Sequence, residues 1–130
     1  MHSQKFKHAS ASKEVDYEMV AFGDADDGSM DYVLLQLATE FDHQDRKTGM
    51  DGIYLEINDQ AHSGYKSLHR IEVVRNAVTI HFSAEQLGLP ETINPFCILH
   101  TGTAHLSSDV YNALAIMAER AGIDFKHRET

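Results

Sequence analysis

The segment 67–82 constrains the fold more than any other part of the chain. Ile71 and Val73 alternate with Arg70 and Glu72, and Val78, Ile80 and Phe82 alternate with Thr79 and His81. Side chains along a strand point to opposite faces with a period of two, so each half reads as a strand with one apolar face. If Arg75 and Asn76 form a two-residue turn, 74 faces 77, 73 faces 78 and 71 faces 80, and every apolar member falls on the same side of the hairpin. Asn tolerates the left-handed backbone that such turns need; Arg75 suits it less well, which leaves a longer turn as the alternative.

Other segments extend this pattern. Val15, Tyr17, Met19 and Ala21 have strand period. Tyr32–Thr39 is apolar on both alternating faces and reads as a central strand covered on both sides. Ile53, Leu55 and Ile57 alternate with Tyr54, Glu56 and Asn58, a strand with one face on the core. Between them the polar stretch Phe41–Asp51 reads as a connection. Ser83 with Gln86 three positions later forms a capping box for a short helix that Gly88 and Pro90 stop. Pro95 stands at the entrance of a buried strand, Phe96–Leu99.

Ser107 or Ser108 caps a final helix whose stripe is Val110, Ala113, Leu114, Met117, Ala118 and Ala121. Gly122 supplies its left-handed stop, and Ile123 folds back on the last turn. Strands and helices do not alternate regularly, which argues against a doubly wound nucleotide fold. The expected class is α+β: an antiparallel or mixed sheet with the C-terminal helix packed on one face. Residues 1–13 show no period and read as a flexible N-terminal arm, leaving 14–130 as a single α+β domain.

Charge decides which partners are plausible. The net charge is −9, and between Glu14 and Gln60 there are 13 acidic residues against only Arg46 and Lys47. Such a field repels phosphate backbones and steers basic partners, so nucleic acid is disfavoured as a ligand. No apolar run reaches the roughly 20 residues that span a bilayer. Cys97 is the only cysteine; no intrachain disulfide can form, and the expected location is cytoplasmic.

Chemical motifs are weak. None of the nine histidines belongs to an HExxH arrangement. His100 and His105, five apart across a Thr-Gly-Thr turn, are the best candidates for a metal site, and a small metal-dependent enzyme using them is one alternative. Asp24, Asp26, Asp27 and Asp31 have calcium-loop composition, but Gly28 comes one position early and Leu35 stands where the loop needs a glutamate. Cys97 sits among apolar neighbours and reads as a structural thiol. Glu56 and Asp59 could form a pair of carboxylates for acid–base work, although strand parity points Glu56 away from the core. The glycines make no phosphate-binding signature. No cofactor is implied.

The stretch Phe41-Asp42-His43-Gln44-Asp45, continued by Gly49-Met50-Asp51-Gly52-Ile53-Tyr54-Leu55-Glu56-Ile57-Asn58-Asp59-Gln60, resembles a known family. With Gly64-Tyr65, Ile71-Glu72-Val73 and Arg75-Asn76, residues 15–82 are similar to the immunity protein 10 family of bacterial polymorphic toxin systems. That resemblance implies stoichiometric inhibition of a cognate toxin domain by binding, without chemistry by the inhibitor. A basic nuclease is one target that the acidity suits.

The residues themselves offer a surface for such a partner. Asp42, Asp45, Asp51, Glu56 and Asp59 lie on or beside the 53–57 strand, with Tyr54 and Tyr65 close enough in sequence to add aromatic contacts. Scaffold roles compete: Asp42 and Asp59 as turn caps, Tyr54 packed on the second face of the sheet, Glu56 paired with Arg70. The rival binding readings are a general adaptor and a homodimerising domain.

Overall fold

The computed structural model describes residues 2–24 and 31–128. Among the described residues ten strands, β1 (His2–Phe6), β2 (His8–Lys13), β3 (Tyr17–Gly23), β4 (Tyr32–Ala38), β5 (Tyr54–Ile57), β6 (Asp59–Tyr65), β7 (Leu68–Val74), β8 (Ala77–Phe82), β9 (Phe96–His100) and β10 (Asp124–Arg128), form two five-stranded sheets. The first, in the order β1-β9-β8-β7-β10, is mixed; the second, β2-β3-β4-β5-β6, is antiparallel throughout. Two α-helices among the described residues complete the fold: α1 (His43–Thr48) and α2 (Ser108–Ala121). This is the expected α+β class, with the C-terminal helix reaching β2 and β3 of one sheet and β7 and β10 of the other.

The hairpin forms with the register its alternation dictates: Val74 faces Ala77, Val73 faces Val78 and Ile71 faces Ile80. The left-handed residue of its turn is Arg75, at φ 55°. Asn76 instead spends its side-chain amide on the carbonyls of His100 (3.0 Å) and Thr103 (3.1 Å), tying the turn to the end of β9. A single core cluster takes Val20, Phe22, Val33, Leu35 and Leu55 from the antiparallel sheet and Ile71, Val73, Val78, Ile80 and Ile98 from the mixed one. Helix α2 adds Val110, Leu114, Met117 and Ala118 to it. Ser107 caps α2 through Val110 N–H, and Gly122 ends it at φ 71°.

Several expectations are corrected. Residues 2–13 are not a loose arm: His2–Phe6 pairs in parallel with β9 and His8–Lys13 antiparallel with β3. Both strands lie on sheet edges, where one polar face is tolerated, and this hides the alternation. Phe6 nevertheless enters the core with no exposed surface. The Phe41–Asp51 connection contains α1, started by a reciprocal box in which Asp42 Oδ1 accepts from Asp45 N–H (2.7 Å) and Asp45 Oδ2 accepts from Asp42 N–H (3.1 Å). Ser83 caps nothing. The following segment is a 3₁₀ turn, Glu85–Leu87, with Ala84 at its head and no side-chain cap.

Strand β3 buries Val20 and Phe22, so Tyr17, Met19 and Ala21 lie on the outer face of their sheet. Glu18, on the inner side, is 8% exposed and pairs with Arg120 of α2 at 3.6 Å. The same guanidinium donates to the carbonyls of Ala38 (2.7 Å) and Thr39 (2.8 Å), fastening the helix to the antiparallel sheet.

Candidate functional site: an acidic, tyrosine-walled groove

Because alternate residues share a face, the outer side of the antiparallel sheet can be read off its register. Tyr17 faces Ala38, Gln36 faces Tyr54, Tyr54 faces Tyr65, and Leu34 faces Glu56. These side chains line a groove of about 650 Å³. Asp16, Asp45, Met50 and Gln60 complete its wall. Of the seven residues proposed from sequence, the structure therefore brings Asp45, Tyr54, Glu56 and Tyr65 together. None of the described residues lining the groove is basic.

Glu56 forms the charged centre. Its two carboxylate oxygens accept hydrogen bonds from different phenols, Oε2 from Tyr32 and Oε1 from Tyr54. Parity does point it away from the core, yet it is only 7% exposed, because tyrosines of its own and the neighbouring strand close over it. It does not pair with Arg70, which instead holds Glu72 at 2.9 Å. Among the described residues, no cationic side chain lies within ion-pair distance of Glu56.

The phenols feel this environment. Burial first, then the hydrogen bond to Glu56 and the charges of Glu56 and Asp59, push Tyr32 up to about 12. Tyr54 is raised for the same leading reasons, burial and its bond to Glu56. Both act as protonated donors at neutral pH. Beside them Tyr54 and Tyr65 pack tilted, with ring centroids 5.2 Å apart. Tyr65 and Met50 are among the few large apolar side chains left substantially exposed, at 40% and 44%.

The other three proposed residues have local duties. Asp42 caps α1. Asp51 pairs with Lys66 at 2.5 Å, and the hydrogen bond from that ammonium holds its carboxyl below the usual carboxylate range. Asp59 accepts from Ala61 N–H (2.8 Å) at the bend after Asn58, which sits at φ 64°. Sequence reading missed Tyr32, Tyr17, Gln36 and Asp16. Tyr32 and Gln36 become neighbours of Glu56 and Tyr54, and Tyr17 joins the same groove wall, only through strand register, while Asp16 shows no signal beyond its charge.

The two metal candidates have different partners. His100 donates through Nε2 to the carbonyl of Lys7 (3.2 Å), while His105 is exposed and its N–H bonds Thr103 Oγ1 (3.1 Å). Among the described residues no group of three or more His, Cys, Asp or Glu side chains is placed to hold a metal ion. Asp26, Asp27 and Gly28 of the calcium-like segment lie outside the described residues. Among the described residues no helix is long and apolar enough to cross a membrane.

The family model for immunity protein 10 matches residues 5–103. The chain belongs to the immunity protein 10 family. The immunity protein 10 match runs from the end of β1 through β9 and so contains every strand of the groove. It extends the likeness seen over 15–82 in both directions, to 5–103, and stops before His105 and α2. No curated protein and no solved structure matches the chain.

Proposed function

We propose that this protein neutralises a cognate bacterial toxin domain by binding it, and that the groove on the outer face of the antiparallel sheet is where the toxin docks. It works by occupancy, in the cytoplasm of the cell it protects, and transforms no substrate. The observation that carries the reading is the groove itself: a concave surface in an immunity-family chain, with carboxylates and half-exposed aromatic side chains and no basic residue in its described wall. Exposed Tyr and Met beside a polar rim have the make-up of an interface centre, where a few aromatic side chains carry most of the affinity. The surrounding negative charge favours a basic partner and speeds encounter.

The test pairs this protein with the toxin domain encoded beside it. Co-expression should restore growth, and the two chains should co-purify. Tyr65→Ala should weaken the complex by roughly 2 kcal/mol, as for an interface anchor. Asp16→Lys should slow association and flatten its dependence on ionic strength. Undiminished neutralisation by both variants, each shown to be folded, would move the interface elsewhere.

A further inference from the structure

Glu56 is a carboxylate without a countercharge among the described residues, and it is almost wholly removed from water. A charge in that position is costly unless it is hydrogen-bonded and paired. Tyr32 and Tyr54 supply hydrogen bonds but no positive charge. The other buried carboxylate among the described residues has a cation beside it: Glu18 pairs with Arg120 at 3.6 Å, and the half-buried Glu72 holds Arg70. Of these two buried carboxylates, only Glu56 lacks a cation among the described residues, and there the sheet opens into a groove with two further carboxylates, Asp16 and Asp45, in its wall.

We infer that the groove is a receptor for a guanidinium group, an arginine side chain presented by the partner, with Glu56 as its anchor. This deepens the toxin-binding reading and rests on it. A carboxylate offers about four acceptor positions, two per oxygen. Each phenol occupies one, which leaves one on each oxygen, the pattern that the two parallel N–H groups of a guanidinium match. Tyr54 and Tyr65, tilted against one another at 5.2 Å, present ring surface on which a planar cation stacks. An ammonium group has neither the fork nor the plane, so lysine is the poorer ligand. Asp16 and Asp45 add long-range attraction for either cation, and the stacking and the fork discriminate between them.

The experiment uses the full chain, with N-acetyl-arginine amide and N-acetyl-lysine amide as probes followed by amide NMR. The arginine probe should shift resonances on β4, β5 and β6 around Glu56 and bind several-fold tighter than the lysine probe. Glu56→Gln keeps the size and one acceptor oxygen, and it should weaken arginine binding about tenfold, the loss of a charge-assisted pair. Asp16→Asn leaves the phenol bonds intact and should weaken it about twofold, as expected of an exposed charge. Should Glu56→Gln fail to fold, the Asp16 variant and the lysine comparison decide. Shifts confined to other surfaces, equal affinity for the two probes, or a folded Glu56→Gln that binds arginine like the parent would overturn the assignment. Neither probe contains any toxin, so a negative result here leaves neutralisation standing. Lost neutralisation with arginine binding intact would count against the docking reading instead.

Discussion

Phe6→Ala tests the most consequential correction, the conversion of a supposed arm into part of the core. The ring is fully buried in the cluster that joins both sheets. Its backbone carbonyl accepts from Thr101 N–H at 2.9 Å, a bond that the substitution leaves in place, so the perturbation is confined to the side chain. Burying a phenylalanine contributes about 1.5–3 kcal/mol, and the cavity left by truncation raises the cost to about 3–5 kcal/mol. Against a typical domain stability of about 5–15 kcal/mol, that is a large share. With a urea m-value of about 1–3 kcal/mol per molar, the unfolding midpoint should fall by roughly 2 M. Lys5→Ala, one residue earlier and exposed, should stay within about 0.5 kcal/mol of the parent. Equilibrium urea unfolding followed by far-ultraviolet circular dichroism gives both values. A loss below about 1 kcal/mol for Phe6→Ala at unchanged m would mean that the first strand does not contribute to the core as described.

The raised phenols of Tyr32 and Tyr54 give an alkaline prediction. The folded state favours their neutral forms, so this stabilisation is complete below the ordinary tyrosine value of 10.0 and is lost as pH climbs through the folded value, about 12 for Tyr32. A tyrosinate absorbance titration should lose its latest component in Tyr32→Phe, and an unchanged late component would refute the assignment. Asp51 carries the opposite sign. Its folded value is lowered, so its contribution is present above 3.8 and fades as pH falls further. Its NMR-detected midpoint should rise towards 3.8 in Lys66→Met; no movement would mean that Lys66 is not the cause. Gly122→Ala places a Cβ at φ 71° and should cost about 1 kcal/mol in thermal or urea unfolding; a neutral result would contradict the left-handed stop of α2.

Legibility in the sequence followed the density of apolar alternation. The register of strands β7 and β8 between 71 and 80 was readable because Ile71, Val73, Val78 and Ile80 all fall on one face and the turn between them is short, whereas the bulge between Leu68 and Arg70 leaves no local signal. Helix α2 was readable because its stripe, its Ser107 cap and its Gly122 stop agree. By contrast β1, β2, β6 and β10 are sheet-edge strands of polar, mostly exposed composition, such as Asp59–Tyr65, and for β1 and β10 the partners are distant in the chain. Local pattern carries little of that information. Helix α1 was missed because its box pairs two aspartates, Asp42 and Asp45, rather than a hydroxyl with a glutamate.

The site divides in the same way. Parity along β5 places Tyr54 and Glu56 on one face, and that much is local. Tyr17, Tyr32, Leu34 and Gln36 join them only when β3 and β4 are set in register with β5. The burial of Glu56, which makes it more than another surface acid, depends on the Tyr32 hydroxyl from the neighbouring strand.

The first two strands belong to different sheets, with only Lys7 between them. One short stretch of chain thus stitches together both layers, and its β1 half finds its partner some ninety residues downstream, at Phe96–His100. β1 cannot pair until β9 has been made and is free to meet it, while the meander from β3 to β6 pairs with near neighbours. Closure of the mixed sheet around Phe6 is expected among the later events, so the tyrosine-walled face can take shape before the molecule is sealed.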